Sequence, residues 1–332
     1  MRSGYKIEGA EKYTGLEIIP IINGRTSLVA KQRKKGRWSV EQRLEFIDFR
    51  LFWEGRVNRS DLIDYFGVSV PQASADLTLY QTQAKNNAVY DKNQKTYVAG
   101  PRFKPVFFVP SAARYLAQLR MIDAGLLSED EAWATRSSAY TIVPALRRHI
   151  EPEILRGILS AIRNRLAVHI SYQAVKRPEP KPRWISPHSL AFDGFRWHTR
   201  AWCHTRGGFV DFLLARILEI GETKESEIDP EADKAWKHEI TLRFEPHPDL
   251  KGGARKVVEL DFGMKDGAAE ITTRVCMTYY LERQFGIDSE APPGSAVRHQ
   301  IVLVNRDELE AARREIGDNC GLDQAKTAKE ED

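Results

Sequence analysis

Hydrophobic and polar positions change period several times along the chain, and each change marks a new kind of element. Leu44, Ile47 and Leu51 recur at helical spacing after Ser39, which is placed to cap a helix start with Gln42 three residues on, and Gly55 ends the run. A second short helix is predicted over about Arg59 to Phe66 from Leu62, Ile63 and Phe66, and Gly67-Val68 turns out of it. A third helix starts after Ser69. There Pro71 lies in the first turn, where its missing N–H costs nothing, and Gln72 is expected to complete a capping box. Val70, Ala73, Leu77 and Tyr80 keep helical spacing and should face the core, which leaves Gln72, Ser74, Ala75, Asp76 and Thr78 outward. Ala88-Val89-Tyr90 and Thr96-Tyr97-Val98 then read as two strands around a polar tip that carries Lys92 and Lys95.

Helix, helix, glycine turn, helix, hairpin is the order of a winged helix-turn-helix, here over residues 38–105 behind an N-terminal arm of residues 1–37. A small helical domain that binds protein shares part of that order. The capped third helix, the glycine turn and the lysine-tipped hairpin together favour DNA. Pro101, Pro105 and Pro110 mark a linker, and residues 106–165 read as a helical connector broken near Ser128 and Pro144, with a role in dimerisation expected. Its apolar faces are Ala112, Tyr115, Leu116, Leu119 and Ile122, then Ile154, Ile158, Leu159 and Ile162.

From Leu166 the period shortens to that of strands: Val168 to Tyr172, Arg183 to Leu190, Phe195 to His204, and Phe209 to Ile220. Several short strands joined by turns at Asp193-Gly194 and Gly207-Gly208 argue for a small barrel over residues 166–225. A compact α+β unit follows over 237–305, with strands expected at His238–Phe244, Lys256–Phe262, Glu270–Thr278 and Arg298–Val304 and a helix at Tyr279–Phe285. Residues 306–332 read as a terminal helix and a disordered tail. The whole is an α+β multidomain chain.

Composition narrows the class. With 42% hydrophobic and 29% charged residues in 332, the chain reads as globular, with no apolar run long enough to span a bilayer and no secretory signal. The cytoplasm is the expected compartment. Cys203, Cys276 and Cys320 are odd in number and widely spaced, which argues against a disulfide framework and a CxxC zinc site. The net charge of +4 is uneven: residues 1–105 hold 18 Lys and Arg against 11 Asp and Glu, and the remainder holds 32 against 35. The basic run Lys31 to Arg37 adds to this, so the N-terminal third is where nucleic acid is expected to bind.

The strand Phe195 to His204 carries the most distinctive chemistry. At period two it places Arg196, His198, Arg200 and His204 on one face, with Phe195, Trp197, Thr199, Ala201 and Cys203 on the face that can be buried. The first face is expected to be an open, cationic wall that meets an anion. In the competing reading, Arg200 and Arg216 pair with Asp211, Glu219 or Asp193 to hold the barrel. His188, His198, Cys203 and His204 are residue types that ligate zinc, but His198 and Cys203 fall on opposite strand faces, so no metal is expected. There is no GxSxG elbow, no phosphate-binding glycine loop and no HExxH, so no enzyme and no cofactor are expected.

These residues resemble the transcription regulators that carry a WYL domain. The resemblance lies in Tyr172, Ser186-Pro187-His188-Ser189-Leu190, Gly194-Phe195-Arg196-Trp197-His198-Thr199 and Asp211-Phe212-Leu213-Leu214-Ala215-Arg216-Ile217, within a match over roughly 38–305. In look the chain is similar to repressors found beside anti-phage defence operons of the BREX and CBASS kind. It departs from the family in keeping only Trp197 of the Trp-Tyr-Leu triplet, with His198 and Thr199 in the other places. Val210 and Leu213 stand where many relatives carry arginine. The resemblance implies a winged helix-turn-helix, a small SH3/Sm-like WYL barrel and a C-terminal extension domain. It further implies a nucleotide or nucleic-acid effector at Tyr172, His188, Arg196, Arg200 and Arg216, with His198 still offering a hydrogen bond.

The expected function is a homodimeric repressor of a phage-defence operon, bound to an inverted repeat of double-stranded DNA. Gln72, Ser74 and Thr78 would sit at base edges, and Ser69, Lys92 and Lys95 at phosphates. The alternative is an accessory protein whose barrel holds single-stranded nucleic acid for a partner enzyme.

Overall fold

The computed structural model describes residues 39–134, 139–143, 148–287 and 294–317. The basic run Lys31 to Arg37, the break at Pro144, Cys320 and the C-terminal tail lie outside the described residues. Two compact units divide the chain, one within 26–146 and one within 147–332.

The first unit contains α1 (Val40–Glu54), β1 (Arg56–Val57), α2 (Arg59–Phe66), α3 (Val70–Gln83), β2 (Ala88–Asp91), β3 (Thr96–Ala99) and α4 (Ala112–Asp123). The capping box at Ser39 and Gln42 starts α1, and Gly55 at φ 73° stops it. Leu44, Ile47, Leu51, Leu62, Leu77 and Tyr80 form the core beneath the three helices. β1 is too short to show a period, yet its pairing with β3 makes the wing a three-stranded antiparallel sheet in the order β1-β3-β2.

At three points α3 differs from expectation. Val70, expected to face the core, is 55% exposed at the first position of α3, and the buried side of the helix begins only at Ala73. Asp76 was assigned to the surface but is buried against Arg43. That carboxylate also takes the Gln72 side chain, so Ser69 accepts from the Gln72 N–H but no reciprocal capping box forms.

Residues 106–165 are divided between the two units. Leu119 joins Phe49 and Ala134 in a small cluster with Trp53, Phe108, Tyr115 and Trp133, while Leu116 faces out. In the second unit α5 (Pro152–Asn164) lays Ile154, Ile158 and Ala161 on a five-stranded sheet.

That antiparallel sheet is β4 (Leu166–Tyr172), β5 (Lys181–Phe192), β6 (Trp197–Cys203), β7 (Gly208–Leu213) and β8 (Ile217–Glu225), in the order β7-β6-β5-β4-β8. The single strand expected over Phe209 to Ile220 is interrupted by a 3-10 turn at Leu214–Arg216. The turn carries the chain from one sheet edge to the other, since β7 pairs with β6 and β8 with β4. A strap of residues 226–238, including α6 (Lys234–Lys237), leads into the C-terminal domain.

There β9 (Glu239–Pro246) is central to a sheet of order β10-β9-β11, with β10 at Ala269–Arg274 and β11 at Ile301–Leu303. Three helices accompany it: α7 (Gly252–Asp261), α8 (Thr278–Phe285) and α9 (Arg306–Ile316). The strand expected at Lys256–Phe262 is instead mostly α7. Both edges of β9 are already paired, only Val258 of the helix is buried, and Arg255 meets Glu259 one turn on at 2.9 Å.

Candidate functional site

The exposed side of α3 is held in place from beneath by two buried polar clamps. Arg43 on α1 forks Asp76 on α3, with Nε–Oδ2 at 2.6 Å and Nη2–Oδ1 at 3.1 Å. One turn on, the Tyr80 hydroxyl donates to Asp48 Oδ1 at 2.5 Å, and Asp48 Oδ2 accepts from the Val106 and Phe107 N–H groups at 2.7 and 2.8 Å. Burial, and then the hydrogen bond to Asp48, push the Tyr80 hydroxyl well above its ordinary pKa, so it stays a donor. Breaking either clamp would leave a buried charge or donor unmatched, which makes the pose of α3 rigid.

On the outside, Ser69, Val70, Pro71, Gln72, Ala75 and Thr78 are exposed and Ser74 is half-buried. Gln72 Nε2 donates to Asp76 at 3.0 Å, leaving its side-chain oxygen without a hydrogen bond among the described residues. The hydroxyls of Ser74 and Thr78 donate to the helix's own carbonyls at Val70 and Ser74. Lys92 and Lys95 are exposed at the wing tip, which Asp91 shapes by accepting from Asn93 and Gln94. Arg59 was not singled out in the sequence. Its Nη1 donates to Ser74 Oγ at 3.3 Å, so a cation from the start of α2 lies beside the middle of α3.

The face of β6 expected to be open is covered. Arg200 is 2% exposed, and His198 and His188 are also shielded, because the strap brings a carboxylate and α8 a tyrosine from distant sequence onto the sheet. Arg200 Nε and Nη2 fork Asp233 of the strap at 2.7 and 3.1 Å, and Nη1 reaches Asp211 at 3.4 Å. His188 Nε2 donates to the same Asp233 Oδ2 at 3.1 Å, and the Tyr280 hydroxyl on α8 donates to Asp211 Oδ2 at 2.9 Å. The pairing of Arg200 with Asp211 matches the competing reading of the sequence, whereas Asp233 lay too far along the chain to be foreseen.

His198 and Arg196 converge on Asp193 at 2.9 and 2.7 Å, while the N–H groups of Phe195 and Arg196 fill its remaining sites. Burial raises the Asp193 carboxyl, but the hydrogen bonds from His198, Phe195 and Arg196 outweigh it and hold the group at about 2. Asp233 is likewise raised by burial, then drawn down to about 2 by His188, by the bonds and charge of Arg200 and by the Trp236 N–H.

The other expected ligand residues are less enclosed. Tyr172 accepts from the Leu213 N–H at 3.3 Å and packs edge-on against Phe212, and Arg216 is half-buried with no ion pair among the described residues. His204 is exposed and meets Ser186 Oγ at 2.9 Å. On the opposite face of β6, Thr199, Ala201 and Cys203 are buried, but Trp197 is 47% exposed and Phe195 76%. Both lie at the hairpin end, past the edge of the core, where Trp197 meets the exposed Phe192 ring at 4.9 Å. Arg183, also not foreseen, is buried with Nη1 3.7 Å from Cys203 Sγ and Nε unpartnered among the described residues. No group of three or more His, Cys, Asp or Glu side chains placed to hold a metal occurs among the described residues. No described helix is long and apolar enough to cross a membrane.

Three family models match the chain in sequence order. They are the BrxR transcriptional regulator winged helix-turn-helix domain over 39–121, the WYL domain over 153–221, and the BrxR transcriptional regulator C-terminal dimerization domain over 239–309. The chain is 40% identical over 285 residues to a protein of Stenotrophomonas maltophilia described as the DNA-binding transcriptional repressor CapW, covering 86% of this chain and 95% of that one. It is 38% identical to proteins of the same description from Escherichia coli (strain KTE188) and Pseudomonas aeruginosa. These matches cover 85% and 84% of this chain and 94% of each relative. The order of domains and this identity over nearly the full length of the relatives agree: the chain belongs to the CapW family of transcriptional repressors.

Proposed function

We propose that the chain is a DNA-binding transcription repressor that acts as a homodimer on an inverted repeat, with a phage-defence operon as its target and the cytoplasm as its compartment. The observation that carries this reading is the exposed polar side of α3, fixed by the Arg43–Asp76 and Asp48–Tyr80 clamps beside a lysine-tipped wing. A helix that enters the major groove needs a rigid pose and short polar side chains at its N-terminal half, and both are present. Gln72, Ser74 and Thr78 are the proposed base-edge residues, with exposed Val70 offering an apolar contact for a thymine methyl. Ser69, Lys92, Lys95 and Arg59 are proposed to contact phosphates.

The WYL sheet is proposed as the sensor of a nucleotide or oligonucleotide, which shifts the chain between DNA-competent and incompetent states. Its cations support that class of ligand, and their present engagement by carboxylates means that a ligand has to exchange with them. The function is that of a regulator rather than an enzyme.

Fluorescence anisotropy with duplex and single-stranded DNA from upstream of the chain's own gene tests this reading. Nanomolar-range duplex binding that drops at least tenfold in Gln72→Ala/Ser74→Ala is expected. Equal affinity for single strands with no effect of the double substitution would favour the accessory-protein reading.

A further inference from the structure

We propose that Asp233 is the internal occupant of an oxyanion site on the WYL sheet, and that a phosphate-bearing ligand acts by taking its place. The proposal rests on ligand sensing by this sheet and adds how the site is regulated.

Three donors from two β-strands converge on one carboxylate. Arg200 supplies two parallel N–H groups at 2.7 and 3.1 Å, and His188 supplies a third at 3.1 Å. A guanidinium fork joined by a further donor is the arrangement that receives a phosphate group as readily as a carboxylate. Asp233 is not part of the sheet. It belongs to the strap between β8 and β9, and its Oδ1 also accepts the Trp236 N–H at 3.1 Å at the start of α6. His198 lies two residues from Arg200 on the same face of β6, and its Nδ1 is buried with no partner among the described residues.

Exchange of one anion for another keeps the buried cations compensated. Asp211, 3.4 Å from Arg200 Nη1, keeps that guanidinium paired while the strap moves. Departure of Asp233 and its strap from the sheet separates Trp236 from His188, against which its ring packs edge-on at 5.6 Å. The Arg274 guanidinium lies over the same indole at 4.8 Å and donates to the Trp236 carbonyl. Arg274 ends β10, within the segment matched by the dimerization domain, so displacement at the sheet reaches the part of the chain that sets dimer geometry.

Calorimetry on the full chain with inorganic phosphate, adenosine 5′-monophosphate and a 5′-phosphorylated tetranucleotide, with hydrogen exchange on the same samples, separates the outcomes. Asp233→Asn should bind at least one probe about tenfold or more tighter than the wild type, and Arg200→Gln should lose it. In the wild type, the probe should speed amide exchange in residues 226–238, a readout that requires no variant to fold. Which probe binds distinguishes free phosphate from a nucleotide or a strand end. Probe binding without faster exchange in the strap, and no gain in Asp233→Asn, overturns the displacement and leaves sensing intact. No binding of any probe by the wild type or by folded Asp233→Asn overturns both.

Discussion

Arg43 and Asp76 illustrate how much a single residue's role depends on what it meets. Asp76→Ala takes the forked carboxylate away from the buried Arg43 guanidinium and should destabilise the N-terminal unit by about 3–5 kcal/mol, read by urea denaturation. Replacing both at once by apolar residues of similar volume should recover most of that loss. A loss below about 1 kcal/mol in the single variant would mean that Arg43 reaches water. In the sequence, Asp76 looks like a surface position because a charged residue between Ala75 and Leu77 falls off the apolar stripe of α3. The partner that reverses this stands 33 residues away, and no local period reports it. Ser69 was legible as a cap from its place before Pro71, and Gln72 and Thr78 as outward positions because they fall off the apolar stripe; the Gln72 half of the capping box was not, because Asp76 takes that side chain. Arg200 was half legible: its charge and face were plain, but its burial depends on Asp233, 33 residues downstream.

At the scale of elements, the wing and the sheet each make a separable contribution. Lys92 and Lys95 sit at an exposed tip, so each Lys→Ala change should lower the slope of log affinity against log salt by about 1 without altering which duplex is preferred. An unchanged slope in the double variant would remove the wing from the DNA contact.

The strap makes an acid-dependent contribution. Asp233 and Asp193 are held at about 2, below the ordinary value of 3.8. Their folded-state pKa is depressed, so the stability they give is complete above about pH 4 and is lost as pH falls through 4 toward 2. The C-terminal unit should therefore lose stability over that window, and Asp233→Asn should flatten the loss in denaturation curves taken between pH 4.5 and 2.5.

Helices α1, α2 and α3 were readable from period and caps. α7 was not, because Val257, Val258 and Leu260 are clustered apolar residues that fit a strand as well as a helix. What decides for a helix is that β10 and β11 occupy both edges of β9.

For the whole molecule, two units and a matched dimerization domain imply that DNA recognition and dimer formation are carried by different ends of the chain. Sedimentation should give twice the chain mass at micromolar concentration, with or without DNA. The order of domains was legible from shifts in period. The division of residues 106–165 between two cores was not, since α4 and α5 each look like a free amphipathic helix until Phe49 and Ile170 are placed beneath them.

As proposed, a symmetric dimer places two copies of α3 in major grooves on one face of the duplex. Footprinting of the full chain on the DNA upstream of its own gene tests this most directly. The expected result is two protected half-sites related by inverted symmetry, their centres a whole number of turns of about 34–36 Å apart, with protection lost in Gln72→Ala/Ser74→Ala. A single unpaired footprint, or protection that survives that substitution, would contradict it.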